Sequence, residues 1–298
     1  GGYKRFNGGG VYVSVGSLMA LDCNFTNNVV RSTADNHNQY GGGFYATGAT
    51  SFEFKRCRFG WNYAMSPYKT SLGGAICAEG CGIGVIDECA FVTNHVYKNR
   101  TYASGTPYGG AIYASDIGKL HMRDTFFAGN YALSPPARGG TFYLTDANAN
   151  NGMMATIVEQ CAIVASCSSD SNSNGEMALT GGYLFATNVL YGGNTAGNAI
   201  SVFGGTADFT RATIAGAQGY GAQIRVGGAV CTIRDSILAG NLLGNFMDGP
   251  IATGSISDAP LEGTGNTVAT LHLATDGYYH PLSRAGYYTG GFFGGGTW

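Results

Sequence analysis

Charge is scarce in this sequence. Asp, Glu, Lys and Arg make up 11% of its 298 residues, against about 25% in typical soluble domains. Sixteen basic and eighteen acidic side chains leave a net charge of -2. No run of Lys or Arg occurs, so the electrostatic footprint of a nucleic-acid partner is missing. No apolar run is long enough to span a bilayer. Nothing recurs at i, i+3, i+4 over a useful length, which argues against helices. The five His are scattered without metal-ligand spacing, so no metal is expected, and no cofactor. No Ser-His-Asp order or phosphate loop can be defended, because the Gly pairs precede strand patterns rather than helices. Disorder is excluded in turn by 44% hydrophobic and 12% aromatic residues.

Glycine is abundant, at 50 residues, more than twice the usual share of about 7%. It does not fall at every third position, so collagen is excluded. Instead it comes in pairs: Gly8-Gly9, Gly41-Gly42, Gly73-Gly74, Gly109-Gly110, Gly139-Gly140 and Gly181-Gly182, spaced 33, 32, 36, 30 and 42 residues apart. A recurrence of this length marks stacked supersecondary units, a solenoid.

Each pair opens a short alternating segment whose inward position holds Val11, Phe44, Ile76, Ile112, Phe142 and Leu184. Downstream lies a large apolar anchor: Phe25, Phe59, Phe91, Phe127, Ile163, Leu190, Ile214 and Leu238. Three residues after it stands Asn28, Asn62, Asn94 or Asn130, weakening to Ser166 and returning at Asn241. Equivalent side chains in successive coils would stack about 4.8 Å apart. The expected fold is all-β: a single-stranded right-handed parallel β-helix of about 8–10 coils, a rod of roughly 40–50 Å. It should occupy residues 1–265, with a last coil and a Gly/aromatic tail over 266–298. The variable segments 29–40, 64–72, 96–108 and 166–180 should protrude as side loops from one edge.

The phrase GGAIYA at 109–114, followed by LHMRDTFFAGNYA at 120–132, resembles the polymorphic outer-membrane-protein repeat with its GGAI and FxxN signatures. It is similar, more broadly, to right-handed parallel β-helix surface proteins. LHL at 271–273 and PLSRAG at 281–286 resemble the last coil of some bacterial secreted β-helices. The likeness covers residues 8–130 closely and 139–245 loosely. It implies an extracellular or cell-surface setting and no catalysis. The membrane barrel that ends the outer-membrane family has no counterpart here. The sequence begins at Gly1 without Met, as a processed chain or a fragment would.

Cys23, Cys57, Cys89 and Cys161 share one inward column, with Thr125 in the gap. They read as a stack of buried thiols or as inter-coil disulfides such as Cys23–Cys57 or Cys57–Cys89. Cys77 with Cys81, and Cys161 with Cys167, are local pairs. The first suggests a disulfide at an exposed edge rather than a zinc site. Cys231 reads as a core residue. Asn24 and Asn99 begin glycosylation sequons.

Acidic-polysaccharide cleavage is the chemistry to test. The nearest constellation is His121, Arg123 and Asp124, with Asp87 and Glu88 one coil earlier. It reads as a lyase-type site or as a solvated strand face with a corner Asp. An outward column follows Tyr12, Tyr45, Cys77, Tyr113, Tyr143 and Phe185. It would bind glycans or a protein neighbour, unless a side loop covers it. The charge-free tail, with Phe292, Phe293 and Trp298, would fold back as a cap or add to the next subunit. These features point to an extracellular structural protein that assembles head to tail into a filament or surface layer. A monomeric adhesin and a polysaccharide-binding or polysaccharide-cleaving β-helix are the competing readings.

Overall fold

In a computed structural model the described residues are 8–32, 37–98, 105–146, 154–168, 175–193, 195–225, 227–271 and 273. They form an all-β parallel solenoid. One coil shows the plan: strands Gln39–Tyr40, Phe44–Thr47, Ser51–Lys55, Arg58–Gly60 and Tyr63–Ser66 follow one another, separated by corners. Gln39–Tyr40 pairs in parallel with its counterpart in the coil after, and the other four strands pair with their counterparts in the coils before and after. A ten-stranded sheet takes one strand from every coil, from Asn24–Thr26 to Thr267–Val268, so ten coils are stacked. At the usual spacing of parallel strands that is roughly 43 Å of rod.

The anchor column holds its register. Phe25, Phe59, Phe91 and Phe127 are paired in turn, with ring centroids 4.7, 4.6 and 4.8 Å apart and nearly parallel planes. Ile163, Tyr191, Ile214 and Leu238 continue it. The Asn column forms an amide ladder. Asn62 Nδ2 donates to Asn94 Oδ1 at 2.9 Å, and Asn94 Nδ2 to Asn130 Oδ1 at 3.0 Å.

Corners are made by single left-handed residues. Asp22, Arg56, Glu88, Asp124, Gln160, Asn188, Arg211 and Asp235 form one column, with φ between 48° and 54°. For a non-Gly residue this conformation costs about 1–2 kcal/mol. Regular bonding between coils offsets that cost: the amide of Arg56 donates to Asp87 O and that of Glu88 to Arg123 O. The kink turns the next residue inward, which is why the Cys column follows this corner. At the Gly pairs no side chain fits. A Cβ on Gly73 would lie 1.9 Å from Ile76 O, and one on Gly74 would lie 2.1 Å from Gly110 O of the next coil. The first Gly permits the turn, and the second permits coil-to-coil approach.

Three expectations need correction. Phe142 pairs with Met177, while Leu184 pairs with Thr156. The sixth corner is therefore built by Gly175, whose carbonyl accepts from Gly140 N at 3.1 Å. Gly181 and Gly182 lie inside the long strand Met177–Thr187. Phe185 consequently stands beside Ile157, outside the tyrosine column. The sixth anchor is Tyr191; Leu190 turns outward against Ala162 and Val164.

The side segments do not simply protrude. Their described parts are strands themselves. Val29–Arg31, Tyr63–Ser66, His95–Lys98, Tyr131–Leu133 and Cys167–Ser168 make a five-stranded sheet. Gln39–Tyr40, Ser71–Leu72 and Pro107–Tyr108 make a three-stranded one. Between them lies a small second core of Ala64, Val96, Ala132 and Ala137. The stack runs on through Thr267–Val268; Phe292, Phe293 and Trp298 lie outside the described residues.

Candidate functional site

His121, Arg123 and Asp124 do come together, but with partners from neighbouring coils. Arg123 grips Asp87 through two bonds of 3.0 Å, and Lys55 reaches the same carboxylate from the coil on its other side at 2.9 Å. His121 Nε2 lies 2.9 Å from Glu159 Oε2. Asp124, at a left-handed corner, lies 3.4 Å from Arg123, and Glu88 lies 3.5 Å from Lys55. One corner further, Arg56 clasps Asp22 at 2.8 and 2.9 Å. The hydrogen bonds from Arg123, followed by those from Lys55, hold the Asp87 carboxyl below its usual range. A guanidinium engaged with a carboxylate through both arms is poorly placed to take a proton from a sugar. The constellation works as an electrostatic ladder that repeats with the coils.

The tyrosine column is in register from Tyr12 through Tyr45, Cys77 and Tyr113 to Tyr143. Most of it is covered. Tyr40 stacks on Tyr45 at 4.9 Å, Leu72 joins Tyr45 and Cys77, and Tyr108 packs on Tyr143 at 4.3 Å. Tyr45 is 6% and Tyr143 is 8% exposed, while Tyr12 in the first coil is 49% exposed. The Tyr45 hydroxyl donates to Glu79 Oε2 at 2.8 Å. Burial pushes the Glu79 carboxyl up and the Tyr45 phenol far up. An open aromatic stripe is therefore not what this wall presents. The covering strands have made the column a second core, because a bare row of rings would leave a large apolar patch in water.

The described cysteines are free thiols. Cys57, Cys89 and Cys161 are buried in one column; Cys23, in the first coil, is exposed. Cys57 N donates to Cys89 Sγ at 3.3 Å, and Cys89 N to Thr125 Oγ1 at 3.3 Å. Burial drives the Cys89 and Cys161 thiols up to about 12. Cys77 and Cys81 do not share an exposed edge. Cys77 points into the tyrosine cluster and Cys81 into the main core, on either side of the coil wall. Cys231 is a core residue. Asn24 is exposed on its strand, as a glycan acceptor must be; Asn99 and the Cys167 side chain lie outside the described residues.

Two features lie outside every motif read above. Glu176 is fully buried; no hydrogen bond of normal geometry reaches either carboxylate oxygen, and only the Ser166 backbone amide faces it. It stands where earlier coils carry Thr141, Ala111 and Ala75, so only a register that follows the single-Gly corner reveals it. Arg138 and Arg225 converge on the ring of Phe203, an aromatic that no repeat position anticipates. Among the described residues no cluster of His, Cys, Asp and Glu could hold a metal ion, and no helix is long and apolar enough to cross a membrane. No protein-family model, no curated protein and no solved structure matches the chain.

Proposed function

We propose that the protein is an extracellular structural element, a right-handed parallel β-helix whose coils stack from one molecule onto the next. The observation that carries this reading is the strict register of the columns from coil to coil, a plan that further coils would extend without change. In the first described coil the strands Val11–Val13, Ser17–Leu21, Asn24–Thr26 and Val29–Arg31 are each in parallel register with the second coil. Tyr12 and Phe25 stack on partners there, and Asn28 Nδ2 donates to Asn62 Oδ1. Val15 and Met19, at 76% and 68% exposed, belong to the same coil. Parallel strands in such regular register are a template onto which another strand layer can add. Right-handedness is supported by the rule for parallel crossover connections. The likeness of the GGAI and FxxN phrases to surface repeats supports the setting, and the mutual pairing of His121, Arg123, Asp87 and Glu159 supports a non-catalytic wall.

Sedimentation velocity and negative-stain electron microscopy across a concentration series test the proposal. Rods lengthening with concentration are expected. Tyr12→Lys with Met19→Lys should abolish them, since charges on an edge oppose strand addition. A monodisperse monomer at the highest soluble concentration refutes stacking.

A further inference from the structure

The column that covers the tyrosines ends in a different residue. Tyr40, Leu72 and Tyr108 are followed by Arg138, which bridges in parallel to Tyr108. Its backbone is pinned by Arg138 N to Pro107 O and Gly109 N to Arg138 O, both at 3.0 Å. In the next coils the outward column beyond Tyr143 shrinks to Ala178 and Ser201. Phe203 lies two residues beyond Ser201 on the same strand, Ile200–Thr210, and is half-exposed. It is the extra residue of a bulge, since Leu179 pairs with Val202 and Thr180 with Gly204. The Arg138 guanidinium sits 4.7 Å from the Phe203 ring centroid, and the exposed Arg225 sits 5.9 Å from it. Arg225 also donates to Gln223 Oε1 at 3.3 Å, and Arg138 faces the Tyr143 hydroxyl.

What these arginines lack is a carboxylate. Lys55, Arg56, Arg123 and Arg234 each pair with an acidic side chain. Among the described residues neither Arg138 nor Arg225 has an acidic side chain in salt-bridge range, and Arg138 Nε is buried with no acceptor. A guanidinium stacked on a ring keeps its in-plane N–H groups for oxyanions, which it binds in a fork. Two such groups beside half-open aromatic surface match a chain of sugars carrying carboxylate or sulfate. The rings cover the sugar faces and the arginines take the charges. Nucleic acid fits poorly, for no basic run is present to track a phosphate backbone.

We propose that Arg138, Phe203 and Arg225 form a binding site for an acidic polysaccharide on the side wall, independent of stacking at the ends. The test is calorimetry of the full chain with sulfated oligosaccharides, oligouronates, neutral dextran fragments and a short DNA strand at physiological salt. Binding of either acidic sugar, with none of dextran, is expected; the two acidic arms tell which oxyanion is preferred. Arg225→Met should weaken binding about tenfold or more, and Arg225→Lys should recover only part, because the stacked fork is lost. Phe203→Leu should weaken it as well. Arg58→Met, an equal charge change on another sheet, should leave it intact. No binding, equal binding of dextran, preference for DNA, or equal loss in Arg58→Met overturns the assignment.

Discussion

Replacing Asn94 by Ala removes four hydrogen bonds from one buried side chain. Its Oδ1 accepts from Asn62 N at 3.1 Å and Asn62 Nδ2 at 2.9 Å; its Nδ2 donates to Asn130 Oδ1 at 3.0 Å and Phe59 O at 2.9 Å. Two of the partners keep a second bond. Asn62 Nδ2 still reaches Phe25 O, and Asn130 Oδ1 still accepts from Asn94 N. Asn62 N loses its side-chain acceptor. One buried amide left unpaired costs about 1–3 kcal/mol and each lost bond about 1 kcal/mol net, so Asn94→Ala should cost about 3–5 kcal/mol. Asn28→Ala is the control. That half-buried residue gives one side-chain bond, Nδ2 to Asn62 Oδ1 at 2.9 Å, and should cost about 1 kcal/mol. Asn94→Ser should fall between, as the natural Ser166 accepts from Asn130 N only at a stretched 3.4 Å. Urea unfolding followed by circular dichroism gives the losses, and hydrogen exchange at the Asn62 amide localises them. If Asn94→Ala and Asn28→Ala agree within about 0.5 kcal/mol, the ladder marks register without adding to stability, and the reasoning fails.

Two carboxyls give opposite pH signatures. Asp87 is held below its usual range by Arg123 and then Lys55, so its contribution is present above the unfolded carboxyl value and lost as pH falls through the folded one. Asp87→Asn should therefore flatten the acid limb of thermal stability and cost no more than about 1 kcal/mol at neutral pH, because both cations are partly in water. An unchanged acid limb counts against the ladder. Glu176 is pushed well above its usual range by burial, so folding favours its protonated form. Stability is complete below the unfolded carboxyl value and declines as pH rises beyond it. Glu176→Met should raise stability by about 1–3 kcal/mol near pH 8 and much less near pH 4. A shift equal at both pH values in differential scanning fluorimetry would disprove the placement of this side chain.

Much of this fold could be read from spacing alone, and the reason is steric. Gly73 and Gly74 can be nothing else where backbone carbonyls lie within about 2 Å of a would-be Cβ. Phe59 and Phe91 are identical because like rings stack flat at the inter-coil spacing. Reading failed where the repeat changes length. The sixth corner has one Gly in place of two, which moved Leu184, Phe185 and Leu190 to wrong columns. It failed again at the side segments. Short pairs such as Ser71–Leu72 carry too few residues for alternation to show, and their strand character comes only from stacking on Tyr40 and Tyr108. The outward residues of a strand are ambiguous for the same reason. Nothing within the repeat says that Tyr45 will be roofed by Tyr40 while Tyr12 is left half bare.

Regularity and chemistry therefore occupy different places in this molecule. Where the repeat is strict, polar columns are largely answered one coil away: Asn62 by Asn94, Lys55 and Arg123 by Asp87, with the buried Gln39 Oε1 an exception. Such a wall is satisfied within itself and has little left to offer a ligand. Unsatisfied groups gather where the columns break. The Asn ladder weakens at Ser166, and the unpaired Glu176 lies one corner later. The covering column ends at Arg138, and there a buried guanidinium nitrogen lacks an acceptor beside a bulged Phe203. Both breaks fall between residues 138 and 203, and among the described residues the last side strand is Cys167–Ser168. A segment that gives up internal satisfaction must recover it from outside or bear the cost. Glu176, sealed in the core, bears it as a protonated acid; at the wall, the exposed Arg225 leaves the arginine pair open to an anion.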